Sequence, residues 1–513
     1  MKGYDIFSET LRGLSLLPIF GNPGTTELSS LRHLDDYVLT LLDGLSVGMA
    51  DGFSQFSGNP SLVNLHSIPG LGNSMGFIYT AKINRTPLIV TAGQQDQRHL
   101  LMEPLLSGDF ISFVGSNFKF KYELNSVSEI QGALKKAKMI AATPPTGPVF
   151  LSVPMNIMDE EGAFEQTEDV RTDINISNED LAEYIASVLN NSTNPALVFG
   201  WEVDALNAFE EAEKLAEKLG CPVYSEPLSH RAPFNSDHPL FAGDLLPGST
   251  LINLKLLQND VVIFLGGDIT LYPYLPSPLL KDKKVIFIGL NLQPKFGESY
   301  TVNIKAFMRQ LTPKVQKKCN FSRPIDLGLA TKIANERGSM GINYVLGRVK
   351  KYFANYTIVD ESISSSTATR AILGYSHKKY FTAKSGQLGW AMTAAAGISM
   401  KEKNVLAIIG DGSFMYSIQA LWSIRKYNLP VKTIVLNNRG YSILKSYALS
   451  YYPDMKEKDF LSFDLDLVSL TKGYGIDVRE ADKNLEDLKW LREGDSSKVL
   501  VVNVDRTIPK LFL

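Results

Sequence analysis

The sequence predicts an α/β protein of three doubly wound, parallel-sheet domains. Three observations carry that expectation: the length of the chain, the alternation of short apolar runs with helix-length segments, and two polar stretches that interrupt the alternation. The chain has 513 residues, too many for one hydrophobic core, so about two to four domains are expected. Alternating strand and helix patterns favour parallel sheets, because each parallel crossover needs a covering element.

The first domain is expected over residues 1–165. Ser61-Leu-Val-Asn-Leu65, Pro87-Leu-Ile-Val-Thr-Ala92 and Pro148-Val-Phe-Leu-Ser-Val-Pro154 read as short buried strands. Gly48-Met-Ala-Asp-Gly-Phe-Ser-Gln-Phe56 reads as an amphipathic helix before the first of them. Asp159 to Asp180 is acidic and lacks long apolar runs, so it reads as a linker. The central domain, 180–315, has strands at Pro195-Ala-Leu-Val-Phe199, Val261-Val-Ile-Phe-Leu265 and Val285-Ile-Phe-Ile288, and a helix from Ala205 to Leu219. Gly266-Gly267 reads as a tight turn rather than a nucleotide loop, so neither FAD nor NAD is expected. Lys314 to Gly338 reads as a second linker, and 340–513 as the third domain. No sequence repeat is visible between the first and third units.

Bulk properties narrow the function classes. Hydrophobic content of 44%, charged content of 21% and a net charge of -2 are ordinary for a soluble globular chain and supply no basic field for nucleic acid. No apolar run reaches membrane-spanning length, and Met1-Lys-Gly-Tyr-Asp-Ile-Phe7 lacks a signal-peptide core, so a cytoplasmic location is expected. Cys221 and Cys319 are too few for a disulfide framework or a structural zinc site. Cys221 is expected to serve packing.

The most informative motif lies in the third domain. Val405-Leu-Ala-Ile-Ile409 reads as a buried strand ending in a tight turn at Gly410-Asp411-Gly412, and Ser417 to Ser423 has helical spacing. Val431-Lys-Thr-Ile-Val-Leu436 reads as a second strand, delivering Asn437-Asn438. One carboxylate and two amides thus stand at the carboxyl ends of two strands, where open α/β sheets bind ligands. The set suits Mg²⁺ and a diphosphate. Asp411 offers a carboxylate, Asn438 an amide oxygen and Gly440 a backbone oxygen. Gly412 and Ser413 lie at a helix start, where free N–H groups favour phosphate. Taken alone, Gly-Asp-Gly is equally a plain strand-to-helix turn; combined with the Asn pair it points to a site.

Gly410 to Asn438 resembles the thiamine diphosphate motif, GDG followed by roughly two dozen residues and NN. Ile19-Phe-Gly-Asn-Pro-Gly-Thr-Thr-Glu-Leu28, Asn64-Leu-His-Ser-Ile-Pro-Gly-Leu-Gly-Asn73 and Pro87 to Gln95 resemble benzoylformate decarboxylases, and the likeness covers nearly the whole chain. It implies a thiamine diphosphate-binding fold of pyrimidine, middle and diphosphate domains, the outer two sharing one topology. It also implies bound thiamine diphosphate with Mg²⁺, for which Ca²⁺ or Mn²⁺ can substitute.

The same resemblance assigns roles. The family's activating Glu falls on Asp43, one methylene shorter, with Glu27 as the rival carboxylate. His66 follows an apolar strand and precedes a glycine-rich loop, Gly70-Leu-Gly72; a lone histidine there is more often structural, but Asn64-Leu-His-Ser67 matches the family's proton-handling residue. Thr25 stands where the family has a serine; its plainer reading is a helix N-cap. Asn22, Pro23 and Gly24 fall in the cofactor-binding loop, Ser362 and Ser364 beside the diphosphate, and Tyr441 after the Asn turn. In Thr382 to Gly389, Gly386 offers a carbonyl to the cofactor and Leu388 wedges it into its bent posture. A second family histidine is missing from Gly266 to Pro273. Ile443 and Tyr447 line the substrate pocket, and a branched Ile443 favours a smaller or aliphatic acid. The expected activity is non-oxidative decarboxylation of a small-molecule 2-oxo acid to an aldehyde and CO₂. The alternatives are an acetolactate synthase-like carboligase and a cofactor-binding homologue with little activity. The site is expected between chains, so a homodimer is the minimum and a homotetramer the expectation; neither nucleic acid nor membrane is an expected partner.

Overall fold

The computed structural model describes residues 1–512 apart from 171, 173, 274–277, 294 and 324–326. The apolar runs become the central strands of three six-stranded sheets. All pairings between strands are parallel. The first sheet contains β1 (Ile19–Asn22), β2 (Tyr37–Leu39), β3 (Ser61–Leu65), β4 (Leu88–Gln94), β5 (Lys121–Glu123) and β6 (Val149–Pro154), in the order β2-β1-β3-β4-β6-β5. The second contains β7 (Ala196–Phe199), β8 (Val223–Ser225), β9 (Phe241–Asp244), β10 (Val261–Leu265), β11 (Lys284–Gly289) and β12 (Glu298–Thr301), in the order β12-β11-β10-β7-β8-β9. The third contains β13 (Thr357–Glu361), β14 (Tyr380–Thr382), β15 (Val405–Gly410), β16 (Val431–Asn437), β17 (Asp477–Glu480) and β18 (Lys498–Asn503), in the order β14-β13-β15-β16-β18-β17.

The first and third orders are the same when matched strand for strand. Their winding reverses between β1 and β3 and between β13 and β15. The crevices at those reversals are where such sheets hold ligands. The first receives Asn22 and His66, and the second Ser362 and Asp411. The central strands are buried on both faces, as helix-covered parallel sheets require.

Several local expectations are corrected. The helix around Gly48–Phe56 runs from Asp43 to Ser57 and is buried almost all round, not amphipathic. It is clamped between its own domain and the Trp390–Ser399 helix of the third. The two helices meet at backbone distance: a β-carbon on Gly52 would sit 2.3 Å from the Ala394 carbonyl oxygen, and one on Gly397 1.9 Å from that of Met49. The expected Ala205–Leu219 helix is two pieces, Glu202–Ala205 and Phe209–Leu219, broken where Asn207 takes φ 50. The second linker contains a helix, Leu327–Asn335; residues 324–326 of that stretch lie outside the described set. The first linker carries no helix or strand among its described residues from 161 to 178, only a bridge from Glu161 to Lys2. The glycine-rich stretch after His66 is no loop but part of a helix, Ser67–Ile83. Gly410 makes no tight turn: it ends β15 at φ -73, and a short helix, Asp411–Tyr416, follows at once.

Candidate functional site

At the first crevice two carboxylates divide the work. Glu27 is fully buried and surrounded by five donors. Its Oε1 accepts from the Thr26 hydroxyl at 2.7 Å and from the N–H groups of Gly93 and Ser67 at 2.9 and 3.0 Å. Its Oε2 accepts from the Gly24 N–H at 2.8 Å and faces His66 Nδ1 at 2.9 Å. With every neighbour a donor, Glu27 acts as acceptor, so Nδ1 carries the proton and Nε2 is left for other partners. Both Glu27 oxygens are thus engaged by groups of the chain itself, His66 among them. Gly24 is glycine for space, since a β-carbon there would lie 1.9 Å from His66 Nδ1.

Asp43 opens its helix as the first residue and is only 4% exposed. Its Oδ1 accepts the His66 N–H at 2.9 Å, and its Oδ2 accepts from Asn22 Nδ2 at 3.2 Å. A β-carbon on Gly70 would come within 2.4 Å of Oδ1, so the glycine at this position admits the carboxylate. Asp43 is therefore no solvated turn residue. Thr25 is exposed within a turn and caps no helix; Pro23 is half-buried beside it.

The second crevice holds the Asp411 cluster. Asp411 Oδ1 accepts the Gly412 N–H at 2.7 Å, and Oδ2 accepts the N–H groups of Arg439 and Gly440 at 2.6 and 3.3 Å. Arg439 at φ 59 and Gly440 at φ 159 bend the chain around the carboxylate. Burial pushes the Asp411 carboxyl above its ordinary value, against the pull of these backbone N–H groups. Across the turn, Asn438 Oδ1 is buried and has no hydrogen-bond partner. A buried carboxylate without a counter-charge and a buried amide oxygen without a donor are what a hard divalent cation satisfies. Among the described residues no three His, Cys, Asp or Glu side chains form a metal-holding group, so a cation here relies on one carboxylate plus amide and backbone oxygens. Gly412 is again a matter of space: a β-carbon would meet the Tyr441 ring at 2.9 Å. Tyr441 packs edge-on against Phe463 with ring centres 5.0 Å apart.

Glu361, at the end of β13, was missed as a functional residue. It is buried, and its two oxygens accept the N–H groups of Gly389 and Ala391 at 2.6 Å each. Burial pushes the carboxyl up to about 7. Glu361 thus joins the β13 crevice to the start of the Trp390–Ser399 helix and to the loop before it. In that loop Gly386 has φ +80 and is exposed, and Leu388 is half-buried. Ser362 differs from expectation: its hydroxyl donates to Asp360 Oδ1 at 2.6 Å and is buried, whereas Ser364 is half-buried. Asp51 was missed as well. It is fully buried and accepts from Gln55, Thr86, Trp390 and Asn84, linking the first domain to the third. An aspartate inside an otherwise apolar helix pattern was the available clue.

Ile443 and Tyr447 stand one turn apart on the Ser442–Tyr451 helix, both half-buried. The Phe512 ring of the carboxyl-terminal segment packs against Tyr447 at 5.2 Å and Tyr272 at 6.0 Å. That segment is pinned by Ser446, which donates to the Pro509 carbonyl at 2.6 Å and accepts the Leu511 N–H at 3.1 Å. No hydrogen bond joins the Asp43 cluster to the Asp411 cluster within one chain among the described residues.

Family models describe the same three parts. The thiamine pyrophosphate enzyme N-terminal TPP-binding, central and C-terminal TPP-binding domains match residues 1–111, 182–311 and 364–503. A benzoylformate decarboxylase of Pseudomonas aeruginosa is 31% identical over 493 residues, covering 92% of each chain. The chain belongs to the thiamine diphosphate enzyme family. The crystal structure of benzoylformate decarboxylase from Polynucleobacter necessarius superposes with a TM-score of 0.91 at 28% identity, covering 99% of both chains. The acetolactate synthase large subunit of Buchnera aphidicola is more distant, 22% identical over 510 residues, covering 93% of this chain and 89% of the relative.

Proposed function

We propose that the protein is a thiamine diphosphate- and Mg²⁺-dependent decarboxylase that converts a 2-oxo acid to an aldehyde and CO₂. The observation that carries the reading is the pair of unmet demands at the second crevice: the buried Asp411 carboxylate and the partnerless Asn438 Oδ1. Asp411, Asn438 and the Gly440 carbonyl hold the cation, and Gly412 and Ser413 face the diphosphate. The bound coenzyme supplies the electron sink for the pair left when the bond to CO₂ breaks.

The chain's own residues do the rest. Asn22 and the His66 N–H aim Asp43, whose carboxylate takes the activating position through a direct contact or one water. Glu27 fixes the His66 tautomer, so that Nε2 is the atom that exchanges a proton with substrate. The Thr25 hydroxyl binds the substrate carboxylate. Gly386 and Leu388 position the coenzyme, held from behind by Glu361. One subunit supplies Asp43 and His66 and its partner supplies Asp411, which makes a homodimer the smallest active unit. Ile443 narrows the pocket in favour of aliphatic acids over a phenyl ring; one methylene in such a pocket is worth about 1–3 kcal/mol.

The likeness to acetolactate synthases, with the missing histidine at Gly266 to Pro273, supports carboligation as a second reading. The test is CO₂ release from a panel of 2-oxo acids with added thiamine diphosphate and Mg²⁺. Acetaldehyde from pyruvate supports decarboxylation, and acetolactate supports ligation. Faster turnover of benzoylformate than of every aliphatic acid contradicts the reading of Ile443. Equal activity of Asp43→Ala and the parent chain contradicts the role of Asp43.

A further inference from the structure

Residues 383–389, between β14 and the Trp390–Ser399 helix, include one charged side chain, Lys384. The Lys384 side chain is only 9% exposed, and its Nζ lies 3.4 Å from Oε2 of Glu226, a carboxylate of the central domain whose side chain is 0% exposed. Among the described residues neither group has another ion partner within 4 Å. Glu226 stands just past the carboxyl end of β8 and is fixed by its own domain. It accepts the N–H groups of Trp201 and Asp268 at 3.1 and 2.8 Å and the Ser229 hydroxyl at 3.0 Å. Gly267 leaves it room, since a β-carbon there would lie 2.7 Å from Oε2.

The other fastenings of the loop involve no cation. Before it, the Thr382 N–H donates to the His230 carbonyl at 2.9 Å, and Arg231 forms an antiparallel bridge with Phe381. The Lys384 N–H donates to Asn84 Oδ1 at 3.1 Å, and the hydroxyls of Ser385 and Thr80 share a hydrogen bond of 2.7 Å. At the far end Glu361 accepts the N–H groups of Gly389 and Ala391. Between these anchors the backbone takes φ 80 at Gly386 and φ 89 at Gly389. Glycine loses more conformational freedom on ordering than any other residue, so this loop depends on anchors outside itself.

We propose that Lys384 is a positioning residue: its ion pair with Glu226 sets the place of the loop, so that Gly386 and Leu388 meet the coenzyme, and through this pair the central domain acts on the site. The inference rests on the thiamine diphosphate function proposed above. A buried neutral side chain at 384 could settle in many arrangements of the loop. A buried ammonium must stay beside its one counter-charge, because moving away leaves two charges without compensation. The charge therefore gives a pliable, glycine-containing loop one preferred position. Removing one member of the pair strands the other, whereas replacing both by neutral groups of similar volume is often neutral for stability. A pair that served stability alone would recover everything in the doubly neutral chain. A pair that positions the loop recovers stability there but not coenzyme affinity.

The test is a double-substitution cycle on the full chain: Lys384→Met, Glu226→Gln and the two together, with circular dichroism to check that each is folded. Urea unfolding without coenzyme reads stability, and hydrogen exchange of residues 383–389 in the same coenzyme-free chain reads the loop. Calorimetric titration with thiamine diphosphate and Mg²⁺ reads affinity. Each single variant is expected to have a lower urea midpoint, and the double variant a midpoint close to the parent's. The double variant is nevertheless expected to exchange its loop amides roughly tenfold or more faster than the parent and to bind thiamine diphosphate roughly tenfold or more weakly. The inference is overturned if the double variant matches the parent in coenzyme affinity or in loop exchange. A parent chain that binds no thiamine diphosphate overturns the proposed function and this inference with it, whereas a parent that binds, with a double variant that binds equally, overturns the inference alone.

Discussion

Glu361 makes stability depend on pH in a direction opposite to most carboxylates. Its oxygens accept the N–H groups of Gly389 and Ala391 at 2.6 Å, yet burial and the neighbouring Asp360 outweigh them and push its pKa from 4.5 up to about 7. At about 1.4 kcal/mol per pH unit, holding the ionised form in the fold costs about 3 kcal/mol. Between pH 4.5 and about 7 the folded chain binds more protons than the unfolded one. Stability from this residue is thus fully present below 4.5, falls as pH rises through the window, and is level above it. Glu361→Gln removes the titration. It also leaves one backbone N–H without an acceptor, a pH-independent penalty of about 1–3 kcal/mol. The assay is urea unfolding of the cofactor-free chain and the variant across that range, followed by near-ultraviolet circular dichroism. The stability of the parent relative to the variant is expected to fall by about 3 kcal/mol from the acid end to the neutral end. A difference that stays level would show that Glu361 is ionised throughout and refute the reasoning.

Three further outcomes follow from the geometry. Asp411→Ala removes the one carboxylate of the proposed cation site, so thiamine diphosphate affinity in the presence of Mg²⁺, measured by calorimetry, is expected to fall by more than roughly 100-fold. Glu27→Gln must turn its NH₂ toward one of the donors that now surround the carboxylate. It is expected to destabilise the chain by about 1–3 kcal/mol and to lower kcat more than KM in steady-state assays, because the His66 tautomer is no longer held. Gly397→Ala drives a methyl into the Met49 carbonyl, 1.9 Å from the ideal β-carbon. Thermal unfolding should show a loss of about 1–3 kcal/mol, with Ser399→Ala on the same helix closer to the parent.

The fold was legible because its signals are local. A run such as Val405 to Ile409 is apolar enough to be buried on both faces, and only a helix-covered parallel sheet buries strands that way. The placement of Asp411 and Asn438 was legible for the same reason: strand ends and residue types suffice to put a carboxylate and an amide at the ends of neighbouring strands. Helix boundaries were less so, since the break at Asn207 depends on a single φ. The partition of carboxylates was not legible at all. Nothing in Gly24 to Leu28 says that Glu27 will meet donors from Ser67 and Gly93, and nothing in the Glu361 stretch says that residues 28 and 30 positions further on will cap it. Sequence by itself determined which groups exist, their periodicity and hence the sheets they build. Tertiary structure alone decided which of those groups are already satisfied, because hydrogen-bond partners arrive from distant strands and burial sets the cost of leaving any group without one.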